Sequence, residues 1–427
     1  TNVYVEAGYR YRVNDSLRDN RVRRVNTSNT YFLKSQLVKN KKTNLSVFIN
    51  YRTLAFEDPT IETQNSLNSR LLYDQRFAKD IIRLNTVFET NSGTQPQQEF
   101  TFVAVDEGQG THTWNDYNND GVQQLEEFEI SQFQDEADFI RVLLPNQVFL
   151  QTHQNKLSSQ LTINPQQWNG SKGLKKFLSR FYNQTNYSID RRSLREGERF
   201  TINPFETDEN EIGLGLNFRN ALTFNRGKQR YTTTYNYISN QSTNLLSTGL
   251  QDNELESHQI NFLHKIKESW LFNFKGEVGT TESVAENFPS RNFSIDNATV
   301  NPKISYLISK TSRVSLFYTY QDKENTNDGL EALQQNSFGT SFAIADGEKL
   351  SLMGEFNYID NQFDGSAFSP VASQILEGLQ PGTNFTWNLI AQKRLTAFLD
   401  LNISYFGRKS EDSSTIHTGS IQLKALF

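Results

Sequence analysis

The densest chemistry in this sequence lies in Asp116–Glu127, which reads DYNNDGVQQLEE. The stretch fits D-x-N-x-D-G-x5-E, the twelve-residue pattern in which oxygen donors at alternate positions converge on one hard cation, calcium. In that pattern Asp116, Asn118 and Asp120 supply side-chain oxygens, Val122 a backbone carbonyl, Gln124 a ligand through water, and Glu127 both oxygens of one carboxylate. Gly121 permits the sharp turn. Two features depart from a helix-loop-helix sensor: Gln123 stands where an aliphatic residue is usual, and the segment before Asp116 reads as strand and turn. An exiting helix over Gln124–Phe133 is expected, with Leu125, Phe128 and Phe133 inward. Calcium here would be a structural staple with Kd on the order of 10⁻⁴–10⁻³ M. The alternative is an acidic, Asn-rich loop without metal.

Other chemistry is sparse. The histidines are His112, His153, His258, His264 and His417, and neither G-x-S-x-G nor H-E-x-x-H accompanies them. With Cys at 0, disulfides, thiolate metal sites and Cys nucleophiles are excluded. A net charge of -5 argues against nucleic acid as a partner. No phosphate-binding Gly loop is present. The expectation is a protein that is not an enzyme, with an outer-membrane hydrolase as a remote alternative.

The elements that position the loop read as strands. In Asn2–Val13, Val3, Val5, Ala7, Tyr9, Tyr11 and Val13 alternate with Tyr4, Glu6, Gly8, Arg10 and Arg12. The same period of two recurs at Leu45–Arg52, Ile212–Phe218, Trp270–Val278, Val314–Tyr320, Leu350–Tyr358 and Ala397–Tyr405, and again at the C-terminal His417–Phe427. Composition agrees: hydrophobic residues are 36% of the chain and mean hydropathy is −0.64, yet there are 32 Phe, 17 Tyr and 4 Trp. Apolar runs of a few residues rule out a transmembrane helix, so a membrane reading requires a closed barrel. An Arg or Lys facing lipid at mid-bilayer costs about 2–4 kcal/mol, which assigns the apolar parity outward. A soluble sandwich is the alternative.

Connections sort by parity. Short turns fall near Asn40–Lys42, Ala78–Asp80, Asn225–Lys228, Lys267–Ser269, Ser309–Thr311, Asp346–Gly347 and Arg394–Thr396. Longer polar links lie near Ala55–Gln64, Arg192–Glu209, Ser242–Glu254, Ser283–Arg291, Asp322–Leu333 and Asn361–Glu377. Short periplasmic turns alternating with long external loops characterise a transmembrane antiparallel up-and-down β-barrel. Counting gives about 18 strands, within a range of about 16–18. The divisions are barrel strands 1–5 over residues 1–92, an extracellular insert at 93–153 carrying the EF-hand-like loop, and barrel strands 6–18 over 154–427. Tyr9, Tyr11, Tyr51, Tyr187, Tyr237, Tyr320, Tyr358 and Tyr405 fall where strands approach long links, as a membrane-interface girdle would. The inward parity carries Arg10, Arg12, Arg52, Arg70, Arg83, Arg313 and Lys424 with Glu6, Asp74, Glu89, Glu355 and Asp400, which could line a pore or lock a plug.

Three stretches, GQGTHTWNDYNNDGVQQLEEFEISQFQDEADFIRV (Gly108–Val142), LEGLQPGTNFTWNL (Leu376–Leu389) and GRKS (Gly407–Ser410) followed by HTGSIQLKALF (His417–Phe427), resemble outer-membrane β-barrel proteins of Bacteroidetes-type bacteria. They cover under a quarter of the chain. The resemblance implies a bacterial outer-membrane barrel, often the C-terminal part of a longer protein, without an assigned chemistry. The terminal Phe427 resembles the signal by which such barrels are recognised for assembly. The lipid bilayer and protein partners on the extracellular or periplasmic side are the expected associates. The leading functional expectation is a structural or interaction component of a cell-surface or envelope complex. A diffusion channel or gated translocation pore is the alternative.

Overall fold

The computed structural model describes residues 3–18, 20–195, 200–206, 210–227, 230–246, 249–327, 329, 331–347, 349–396, 398–411 and 413–425. The chain forms two compact units. One comprises residues 1–99, 145–222 and 237–252; the other comprises 100–144, 223–236 and 253–427.

In chain order the strands are β1 (Tyr4–Arg18), β2 (Arg21–Lys39), β3 (Thr43–Phe56), β4 (Gln64–Phe77), β5 (Ile82–Ala104), β6 (His112–Trp114), β7 (Phe128–Ile130), β8 (Phe139–Ile163), β9 (Phe181–Leu194) and β10 (Glu211–Phe224). They continue as β11 (Tyr231–Leu246), β12 (Gly249–Ile266), β13 (Trp270–Ala285), β14 (Phe293–Leu307), β15 (Arg313–Asn325), β16 (Ala332–Asp346), β17 (Leu350–Asp364), β18 (Gly382–Thr396), β19 (Leu399–Ser410) and β20 (Ile416–Ala425). Setting aside the three-residue β6 and β7, the architecture is an all-β antiparallel sheet of 18 strands. Two short helices, α1 (Leu174–Leu178) and α2 (Pro370–Leu376), interrupt the pattern, and among the described residues no helix is long and apolar enough to cross a membrane.

The registers show why alternation makes a surface. Tyr9 stands opposite Tyr31, and Tyr31 opposite Tyr51, across β1 to β3. In the second unit Ile304, Leu316, Thr340, Phe356 and Trp387 form one continuous row across β14 to β18. Each strand thus presents one apolar and one polar face. The apolar face is exposed: Val5 by 67%, Leu316 by 60% and Ile421 by 74%. The polar face is laced by pairs such as Arg70 with Glu89 (2.9 Å), Lys156 with Asp190 (3.1 Å) and the hydroxyls of Ser305 and Ser315 (2.8 Å).

Several boundaries differ from expectation. The first strand does not stop at Val13, because β1 and β2 stay paired out to Arg18 opposite Arg21. The link expected at Ser242–Glu254 is largely strand as well. β5 runs on to Ala104 and the next long strand, β8, begins at Phe139, which confines the insert, with its short β6 and β7, to residues 105–138. Once two strands pair, the ladder continues through polar side chains, which alternation alone does not register. Conversely, the connection between β8 and β9 carries α1 where a short turn would suit the parity.

Helix α2 was not expected. Ser369 Oγ accepts a hydrogen bond from the Ala372 amide (3.0 Å), Pro370 occupies the first turn, and Glu377 ends the helix in the left-handed region (φ 52). Val371, Ala372, Ile375 and Leu376 then share one face, packed on Ile295 and Leu333 of the polar side of β14 and β16. Fully burying Ile375 contributes about 1.5–3 kcal/mol. Lys323, itself buried, donates to the Ile375 carbonyl (3.1 Å) and pairs with Glu377.

Candidate functional site

The calcium-type loop is the connection of a β-hairpin. Trp114 of β6 pairs with Phe128 of β7, and the Asn115 amide donates to the Glu127 carbonyl (2.9 Å). The exiting helix expected over Gln124–Phe133 is absent: only a single 3-10 turn, Leu125–Glu127, forms before β7. Phe128 and Ile130 alternate as strand residues, and pairing with β6 satisfies their backbone, so tertiary contact overrides helix propensity.

Within the loop, carboxylate oxygens of Asp116, Asp120 and Glu127 lie within 4.8 Å of one another. The turn is closed by backbone amides: Asp120 donates to Asp116 Oδ1 (3.1 Å) and Asn118 Oδ1 (2.9 Å), and Gly121 to Asp116 Oδ2 (2.9 Å). Gly121 has φ 74, which explains the glycine. Gln124 Nε2 donates to Asp120 Oδ2 (2.8 Å), while Val122 is exposed by 58%. Glu127 is buried, with Oε2 accepting from Trp114 Nε1 (2.8 Å) and Oε1 facing no hydrogen-bond partner. A buried carboxylate oxygen without a donor, beside two further carboxylates, is the electrostatic arrangement that a divalent cation relieves. The donor set fits calcium.

The hairpin belongs to a small insert with its own aromatic core. Phe102 stacks on Phe128 (4.1 Å between centroids), and Phe139 meets Phe128 edge-on (5.0 Å). Gly110 lies so close to Ala137 and Phe139 that a Cβ would come within 2.6 Å of their backbone. Burial and the nearby Arg141 and Arg291 hold the His112 imidazole below its ordinary pKa of 6.5. Burial and the Glu129 carboxylate, which accepts the Tyr117 hydroxyl proton (2.9 Å), push that phenol up.

What fixes the insert is a set of cations and aromatics from later in the chain, on β19 and on the connections before β14 and around α2. The Arg408 guanidinium pairs with Asp135 (2.6 Å) and Glu136 (2.5 Å) and lies 3.9 Å over the Phe133 ring. Arg408 projects from β19 on the same face as Thr386 and Asn357, the polar face. Arg291 donates to the Glu126 and Phe128 carbonyls (3.0 and 3.2 Å) and approaches Glu129 at 3.8 Å. Tyr117 meets Phe368 (5.2 Å), and Gly378 abuts Gln132 and Phe133. A cavity of about 280 Å³ remains between Phe133, Asp135 and the polar face of β17 to β20. The three stretches carrying the family resemblance therefore meet in one place. Arg291, Phe368 and the role of Arg408 were not read from the sequence, and the i, i+4 spacing after Ser369-Pro370 was the available signal for α2.

The tyrosines form aromatic clusters. Tyr9 packs on Tyr31 (5.2 Å), and Tyr358 meets Phe385 (5.4 Å) beside the Tyr318–Phe338 pair (4.8 Å). Tyr51 meets Phe200 edge-on, Tyr187 stacks with Phe205, and Tyr237 meets Phe218 at a tilt. Tyr11 is exposed, Tyr320 donates to Asp322 (3.0 Å), and Tyr405 shares a hydrogen bond with His417 (2.8 Å). His153 is held between the hydroxyls of Thr90 (2.7 Å) and Ser92 (3.1 Å), and His258 meets the Tyr235 hydroxyl (2.7 Å). Phe427 lies outside the described residues.

No protein-family model matches the chain, and no curated protein matches it. Similar solved structures include the alcaligin outer membrane receptor FauA from Bordetella pertussis, at 11% identity and TM-score 0.44, covering 98% of this chain and 64% of that one. The FrpB iron transporter from Neisseria meningitidis is 9% identical with TM-score 0.43, covering 90% of this chain and 60% of that one. The outer membrane protein opdK from Pseudomonas aeruginosa is 10% identical with TM-score 0.39, covering 99% and 96%. The chain thus spans less than two thirds of the first two, and its antiparallel architecture stands on its own strand ladders.

Proposed function

We propose that this chain is a non-enzymatic bacterial outer-membrane β-barrel of the Bacteroidetes type, acting as a structural or interaction component of the cell envelope. Its sheet closes with the apolar face in lipid and the polar face around a lumen, the arrangement in which strands satisfy every backbone group within a bilayer. The insert, at the long-link end of the strands, is extracellular, stapled by calcium and available to protein partners. The observation that carries this reading is the docking of the insert on the polar face through Arg408, which favours a barrel filled by its own chain over an open diffusion channel.

The same clamp favours a second reading, a gated translocation pore, because a few ion pairs can be released where a packed core cannot. Planar-bilayer conductance of the purified protein tests both. Silence from the native chain and steps from Arg408→Ala support gating. Silence from both supports the structural component. A steady pore in the native chain would overturn the filled-lumen reading. Protection of residues 105–138 from protease by calcium, lost with chelator, tests the staple.

A further inference from the structure

One part of the apolar face breaks the pattern. Near the long-link ends of β3, β4 and β9 and midway along β5 and β8, the face that carries Tyr51 and Leu67 also carries Asn65, Thr90, His153, Asn155 and Arg191, and all five are buried. Ile189, beside them on the same face, is exposed by only 3%, whereas Val5, Tyr9 and Tyr31 elsewhere on the apolar face are exposed by more than half. Protein covers this patch.

The cover is the segment 200–206, from the link between β9 and β10. Phe200 packs against His153 (5.4 Å) and Tyr51 (6.3 Å), with the Arg195 guanidinium 5.4 Å over its ring. Phe205 stacks on Tyr187 (6.3 Å, interplanar angle 19°). Backbone carbonyls of the segment are met by side chains from the face beneath: Asn155 Nδ2 donates to Thr201 (2.7 Å) and Arg191 to Glu206. Arg191 also pairs with Glu211 (3.0 Å), and Arg195 donates to the Asn65 carbonyl. On its outer side the segment leaves Ile202 exposed by 55% and Phe205 by 57%.

In water, loop carbonyls need no such provision, since solvent hydrogen-bonds them; in an interface poor in water, an unmet carbonyl is costly. We infer that segment 200–206 is an external collar lying in the lipid headgroup zone, with Ile202 and Phe205 inserted among acyl chains and with Asn155 and Arg191 beneath it satisfying the collar's backbone. Its height agrees, because it rests on Tyr51 and Tyr187, two tyrosines of the interface girdle. The collar widens the lipid-facing surface on one side of the protein and lets polar residues occupy the apolar face without meeting lipid. The inference rests on the outer-membrane reading.

Cysteine is absent from the sequence, so a single introduced thiol carries a unique spin label. Ile202→Cys and Phe205→Cys are labelled in the full chain, reconstituted in phosphatidylcholine vesicles, and compared by power saturation with oxygen and with a water-soluble nickel chelate. Leu316→Cys serves as the lipid reference and Lys41→Cys as the aqueous one. The collar requires oxygen-to-nickel accessibility ratios at both positions shifted from the Lys41 value towards that of Leu316. Ratios like Lys41, or shielding from both reagents as a covering protein would give, overturn it while Leu316 stays lipid-like. An aqueous Leu316 would instead refute the membrane reading itself.

Discussion

Arg408→Ala is the sharpest perturbation of the insert. The guanidinium is 11% exposed and faces Asp135, 18% exposed, and Glu136, 41% exposed. Removing one partner of a buried ion pair costs about 3–5 kcal/mol, because the remaining charge is left desolvated. Glu136 is more than a third exposed, so solvent screens its share heavily and only the Asp135 contact is counted at the buried scale. Loss of the cation–π contact with Phe133 acts in the same direction, up to about 2 kcal/mol, but is not additive with the ion pair. Taking about 3 kcal/mol for the whole, the undocked fraction of the insert rises about 150-fold. Cleavage of residues 105–138 by a dilute protease tracks that fraction when reclosing is fast, so its rate is expected to rise on the order of a hundredfold. Arg408→Ala combined with Asp135→Ala is expected to cost less than the sum of the two, since no buried charge is stranded. Arg408→Lys is expected to restore part of the loss, lacking the fork that engages two carboxylates. A cleavage rate unchanged by Arg408→Ala would refute the clamp.

Asp120→Ala is expected to abolish calcium-dependent protease protection of the insert while leaving strand content by circular dichroism unchanged; equal protection would locate the ion elsewhere or exclude it. The neutral His112 imidazole is favoured in the folded insert, whereas the ring of an unfolded insert takes up a proton below its ordinary value of 6.5. Folding of the insert is therefore fully supported above that pH and weakens as pH falls through it, and His112→Gln is expected to flatten the pH dependence of cleavage. Ile375→Ala, at a fully buried site of α2, is expected to cost about 2–5 kcal/mol locally, read as faster hydrogen exchange across α2 with β13 and β20 unaffected.

Much of the sheet was legible because strand alternation is a local signal. Leu45–Arg52 and Val314–Tyr320 announce their faces within eight residues, and short turns mark where pairing reverses. Boundaries were less legible, since Arg18 and Arg21, or the polar run to Ala104, extend ladders by backbone pairing that side chains do not advertise. The metal-type loop was readable from donor spacing, but its helical exit was not, because Phe128 and Ile130 find strand partners in Trp114 and His112. The clamp was unreadable for a different reason: GRKS looks like an ordinary strand end until Asp135 and Phe133 are brought to it.

That clamp has a consequence for assembly. Arg408 and Asp135 are 273 residues apart in sequence, and Arg291 reaches Glu126 across 165. Loop-closure entropy makes such contacts late. While the chain is being delivered, the hairpin at 112–130 can fold on its aromatic core, but it has nothing to seat against until β14 and then β19 arrive. The insert therefore docks only onto a nearly finished sheet. A chain truncated before residue 408 would carry a folded but unsecured insert, open to envelope proteases, so that completeness of the C-terminal strands is reported at a site near residue 135.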